Sequence, residues 1–203
     1  IRDERELDII HTEDDRWVDL GLSVLWAAYN VGANSPEEYG GYYAWGETEE
    51  KDSYTYENYK FSSKNDDGFI HIGDCISGSE YDVAHIKWGN GARMPTVEEF
   101  VELYERCTFT SASYNGIKGN LIIGPNNNTL FLPLSGVYDG SIIGELNYWG
   151  LYWSGTEFDY WEDAYCLQLY WASEPDADDD DERYLGMTIR AVKDKQESSN
   201  MNI

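Results

Sequence analysis

The chain has 203 residues, enough for one large or two small domains, and 41% of them are apolar, so a sizeable core can form. A formal charge of −25 excludes a nucleic-acid backbone as partner, since like charges repel and no basic stripe opposes them. The charge also disfavours anionic membranes, and no apolar run reaches the length that crosses a bilayer, so no membrane insertion is expected.

Residues 1–16 are polar and charged and are expected to be poorly ordered. Residues 195–203 look like a flexible tail. No Pro- or Ser-rich linker lies between them, so one domain is expected over residues 17–194. The start, I-R-D-E, shows neither an initiating Met nor a signal-peptide pattern; an export signal would have been removed. V-L-W-A-A-Y-N-V (24–31) reads as a strand. Residues 49–80, rich in Tyr, Asp, Ser and Gly, read as a long irregular segment. Y-D-V-A-H-I-K-W (81–88) reads as a short helix with Val83, Ala84, Ile86 and Trp88 facing inward.

The clearest helix spans 96–107. Thr96 is followed three residues later by Glu99, a capping box, and Val97, Phe100, Val101 and Tyr104 recur at helical spacing. G-N-L-I-I-G-P-N-N-N-T-L-F-L-P (119–133) reads as a hairpin turning at Asn126 to Asn128. Three more strands are expected at 150–156, 164–172 and 184–193. In the second, Tyr165, Leu167, Leu169 and Trp171 should share one face, with Cys166, Gln168 and Tyr170 on the other. E-P-D-A-D-D-D-D-E (174–182) then falls between the last two strands as an exposed, solvated loop. Weak calcium binding is the alternative there, because clustered carboxylates repel and a hard cation relieves them.

The ordered pieces V-D-L-G-L-S-V-L-W-A-A-Y-N-V-G-A, Y-A-W-G-E-T, W-G-N-G-A-R-M-P-T-V-E-E-F-V-E-L, L-F-L-P, Y-W-S-G-T and Y-L-G-M-T-I-R-A-V resemble the Fibrobacter succinogenes major paralogous domain family. That family is abundant in secreted and surface proteins of Bacteroidetes and Fibrobacteres. R-M-P-T-x-x-E-F is also similar to a segment of formylglycine-generating enzymes, which have a variant of the C-type lectin fold. The resemblance implies an α+β, C-type lectin-like fold: small twisted antiparallel sheets, two helices, and first and last strands paired. It implies a core of Trp26, Phe100, Leu103, Phe131, Trp153, Leu167, Leu169 and Ile189, with Arg93 and Arg190 in structural polar contacts. It also implies a secreted or cell-surface location.

Chemistry-bearing motifs are sparse. There is no G-x-S-x-G, no H-E-x-x-H and no Gly-rich phosphate loop. His11, His71 and His85 show no ligand spacing, so no metal site, cofactor or catalytic residue is expected. Cys75, Cys107 and Cys166 are an odd set without C-x-x-C; Cys107 and Cys166 read as buried small apolar side chains. Formylglycine-generating enzymes use a late cysteine pair, and only Cys166 lies late here, so an enzyme is the weaker alternative.

A binding or adhesion module fits better. The eight Trp and 17 Tyr are too many for all to be core, because each buried hydroxyl needs a partner. The related fold puts ligands on late loops. There Tyr148, Trp149, Glu157, Asp159, Tyr160, Trp161, Glu162 and Tyr184 form the candidate site for a glycan or surface protein. Trp149 and Trp161, next to turn residues, are the best candidates for exposure. A structural envelope- or pilus-associated domain without a small ligand is the alternative.

Overall fold

The computed structural model describes residues 16–63, 68–159 and 162–196. The expected N-terminal segment, apart from Arg16, and the tail beyond Gln196 lie outside the described residues, as do His11, Tyr160 and Trp161. In chain order the elements are β1 (Trp17–Val18), β2 (Val24–Ala27), α1 (Val83–Trp88), β3 (Ala92–Arg93) and α2 (Val97–Arg106). The hairpin strands β4 (Thr108–Tyr114) and β5 (Ile117–Ile123) follow, with β6 (Thr129–Pro133), β7 (Val137–Asp139) and β8 (Ile142–Gly144). Last come β9 (Trp149–Glu157), β10 (Asp163–Tyr170), β11 (Asp176–Glu182) and β12 (Val192–Asp194). They form small antiparallel sheets with orders β1-β2-β12-β3, β11-β10-β9, β4-β5-β6 and β7-β8, so the architecture is α+β with two helices.

Helix α2 forms where the capping box places it. Thr96 caps Glu99 N–H, and the Glu99 side chain returns to the Thr96 amide. Phe100 and Leu103 are buried from it. Arg93, just upstream, is ion-paired to Glu99 and to Asp194, which ties α2 to the last strand. Helix α1 is capped by buried Asp82, whose carboxylate accepts from the amides of Gly78, Ala84, His85 and Met94. That cap aims Val83 and Ala84 inward, but Ile86 is 52% exposed on the far side, contrary to the inward placement expected. Trp88 is half-buried against Trp17 and Tyr29.

All eight expected core residues are buried. Arg190 is fully buried as a structural strut, donating to Asn30 Oδ1 (2.7 Å), Ala27 O (3.0 Å) and Phe131 O (3.0 Å). Strand β12 pairs with β2, joining the two ends of the fold. The tyrosines that are core have the hydroxyl partners that burial demands. Tyr42, Tyr59 and Tyr152 are buried, and each hydroxyl donates to a backbone carbonyl: Ser135 O, Trp45 O and Pro133 O, all at 2.6 Å. Within the irregular segment 49–80, Tyr56 Oη donates to Gly68 O (2.7 Å). Tyr54, Tyr59 and Phe61 from it make a third hydrophobic cluster with Tyr42 and Ala44.

Two strand readings are corrected. The acidic stretch is not a loop: Asp176–Glu182 is strand β11, paired from Asp163↔Glu182 to Gln168↔Asp176 along β10. Acidic residues are poor strand formers, but the partner strand and buried Ala177, packed in the cluster that holds Phe100 and Leu103, impose the extended state. Only residues 171–175 remain to turn the chain. The second correction concerns 184–193, of which only Val192 and Lys193 fall in a strand. Before it, Gly186, Met187 and Thr188 bridge three different partners, Tyr138, Tyr43 and Tyr152, so no continuous ladder forms. Strand β10 keeps the expected faces: Leu167 and Leu169, with Trp171 after them, pack in the cluster of Phe100 and Trp26, and Cys166 packs in that of Trp153 and Met187. Cys107 is only half-buried; burial pushes its thiol up to about 11.

Candidate functional site

The hairpin β4–β5 turns at Asn115 and Gly116, both at positive φ (49° and 80°), the backbone that an Asn-Gly pair adopts readily. Its cross-strand pairs Ser111↔Asn120 and Ser113↔Lys118 put short polar groups and one lysine on one face. The turn after β10 lies against that face. Asn120 Nδ2 donates to Tyr170 O (3.4 Å), and Ala172 N donates to Ser111 Oγ (2.9 Å). Ala172 sits at φ 62°, a conformation costly for an L-residue and held here by that bond. Between hairpin and turn is a cavity of about 590 Å³ lined by Ser111, Ser113, Asn120, Trp171, Ser173 and Glu174, among others.

Phe109 and Trp171 supply aromatic rings to its lining, and the exposed residues Tyr148 and Trp149 stand on the segment next to Trp171. Tyr148 is 62% exposed and Trp149 40%, after a turn in which both amides donate to Glu145 O. Trp171 N donates to Tyr148 O, which ties the two aromatic segments together. Lys118 Nζ lies 4.8 Å from the Trp171 ring centre and 5.6 Å from that of Tyr148. Hydroxyls and an amide that can hydrogen-bond polyols thus stand near aromatic rings.

The other end of β9 is built differently. Glu157 is largely buried. One carboxylate oxygen accepts from Arg183 Nη1 (3.1 Å), and the other faces His71 Nδ1 (2.8 Å). Arg183 is fully buried; it lies 4.6 Å from the Trp45 ring centre and donates from Nε to Tyr59 Oη and from Nη2 to Ile70 O. His71 Nε2 is 3.6 Å from the exposed Asp74 carboxylate. One ligand atom from each of His71, Asp74 and Glu157 can be chosen so that all lie within 4.8 Å of one another.

The residues singled out from sequence do not form one surface. Tyr148 and Trp149 stand at the start of β9 and Glu157 at its end, eight residues on, about 26 Å at strand spacing. Asp159 and Glu162 are exposed beyond that far end. Glu157 is a buried ion-pair partner rather than an open contact, because Arg183 claims its carboxylate. Tyr184 is half-buried, its hydroxyl donating to Glu182 Oε2 (2.6 Å). Sequence reasoning missed Ser111, Ser113, Lys118 and Asn120, although the Asn115–Gly116 pair marks their hairpin. It also missed Arg183, which no local pattern distinguishes.

No family model matches the chain, and neither a curated protein nor a solved structure matches it.

Proposed function

We propose that the chain is a non-catalytic glycan-binding module that works through the cavity between β4–β5 and the turn after β10. The observation that carries the reading is a cavity lined by Trp171, Ser111, Ser113 and Asn120, with Trp171 tied to the exposed Tyr148–Trp149 segment. Sugar rings offer apolar faces that stack on aromatics and hydroxyls that pair with short polar groups, so both halves of the site have a use.

The wider setting belongs to the same proposal. A C-type lectin-like fold of the Fibrobacter succinogenes major paralogous domain family, exported to the cell surface, is supported by the capped helix in R-M-P-T-x-x-E-F and by the β2–β12 pairing. Among the described residues no helix is long and apolar enough to cross a membrane. Glycan-array binding by the full chain, compared with Trp149→Ala and Tyr148→Ala, is the test. Binding to one glycan class that both substitutions weaken by about tenfold or more is expected. A blank array, or hits indifferent to both changes, overturns the reading.

A further inference from the structure

The geometry points to a divalent transition-metal site formed by His71, Asp74 and Glu157, at the end of β9 remote from the aromatic cavity. Three lone-pair donors converge there from two chain segments 83 or more residues apart, their atoms within 4.8 Å. A zinc-like ion, with bonds of about 2.0–2.2 Å, spaces tetrahedral donors by about 3.3 Å, so small side-chain movements suffice. Asp74, whose side chain is fully exposed, is free to make them.

The site has the support that metal ligands use. Glu157 is fixed by Arg183, which holds Oε1 and leaves Oε2 toward the imidazole. The same guanidinium holds Ile70 O, the residue before His71. Glu157 N donates to Asp74 O and Ile76 N to Gly155 O, so the ligand-bearing loop is laced to β9 like an extra strand. Gly73, at φ 125°, makes the turn that returns Asp74 beside His71. A cation bound to one imidazole nitrogen and to both carboxylates offsets the repulsion between two acidic groups held beside one ring. The nitrogen ligand and low ligand count favour zinc or its neighbours in the transition series over calcium, which takes six to eight oxygens.

The test is titration of the chelator-stripped full chain with Zn²⁺ in a calorimeter, repeated with Ca²⁺. One zinc per chain at micromolar affinity is expected, with no comparable calcium binding. His71→Ala and Asp74→Ala should each weaken it about tenfold or more. Both positions are exposed, and unchanged metal-free melting temperatures confirm that the variants fold. Cys75→Ser and His85→Ala should leave the affinity unchanged. The inference is overturned if zinc does not bind, if His71→Ala binds as well as the parent, or if Cys75→Ser or His85→Ala abolishes binding.

Discussion

The two ends of the β9–β10 pair make opposite use of the same two strands. At the Trp149 end, side chains are left partly open: rings 40–62% exposed, short hydroxyls, and a turn held at an unfavourable φ. At the Glu157 end, charge is taken inside and nearly saturated, with Arg183 donating to a carboxylate, a phenol and a carbonyl. A ligand surface has to keep unspent contacts, whereas a buried ion pair is stable only when its contacts are complete. The contrast predicts that substitution of the exposed Tyr148 changes binding and that of the buried Arg183 changes folding.

The largest effect should come from Arg183→Met. It strands the Glu157 carboxylate in the interior and should cost about 3–5 kcal/mol in urea unfolding, with loss under 1 kcal/mol breaking the contrast. Asp82→Ala should follow at about 2–4 kcal/mol, since four amides lose their acceptor. At the open end, Tyr148→Ala should leave stability within about 0.5 kcal/mol while lowering glycan affinity. A destabilisation above that bound would mean the ring is structural.

Acid titration sharpens the comparison. Burial, then neighbouring carboxylates, pushes Asp163 and Asp181 from 3.8 up to about 6. Between about pH 4 and 6 these groups hold protons in the fold that the unfolded chain has released, so their contribution is lost as pH rises through that window. Asp181→Asn should therefore gain about 1 kcal/mol at pH 7, little at pH 4, and flatten the pH dependence of melting. Gly116→Ala at φ 80° should cost about 1 kcal/mol, because nothing crowds the position and only the backbone conformation resists.

Local patterns made part of this legible from sequence. The T-V-E-E-F box places α2 within a residue of its observed ends, and the Asn-rich turn places β5–β6, because caps and turns act over three or four residues. Strand β11 was illegible because its composition argues against extended structure and only its partner supplies the register. The cavity was half legible. Tyr148 and Trp149 announce exposure, but Ser111 and Asn120 meet the turn at Ala172 only after some 50–60 residues of intervening chain, a separation no local window spans. His71 and Glu157 meet for the same reason, through a loop laced to β9 rather than through spacing.

Strand β11 is an edge: β10 pairs one side of it, and no described residue pairs along the other. An open edge of seven residues is a template on which a second chain can add. Six of those seven side chains are carboxylates, and any copy of the same strand brought alongside would carry the same charge. The edge is therefore guarded by repulsion rather than by cover. Such a guard weakens with acid and with salt, so self-association through β11 should increase as pH falls below about 6, even while the individual fold gains stability. Light scattering across that range, with Asp178 and Asp180 changed to Asn, would display this second role of the acidic strand as a barrier to its own polymerisation.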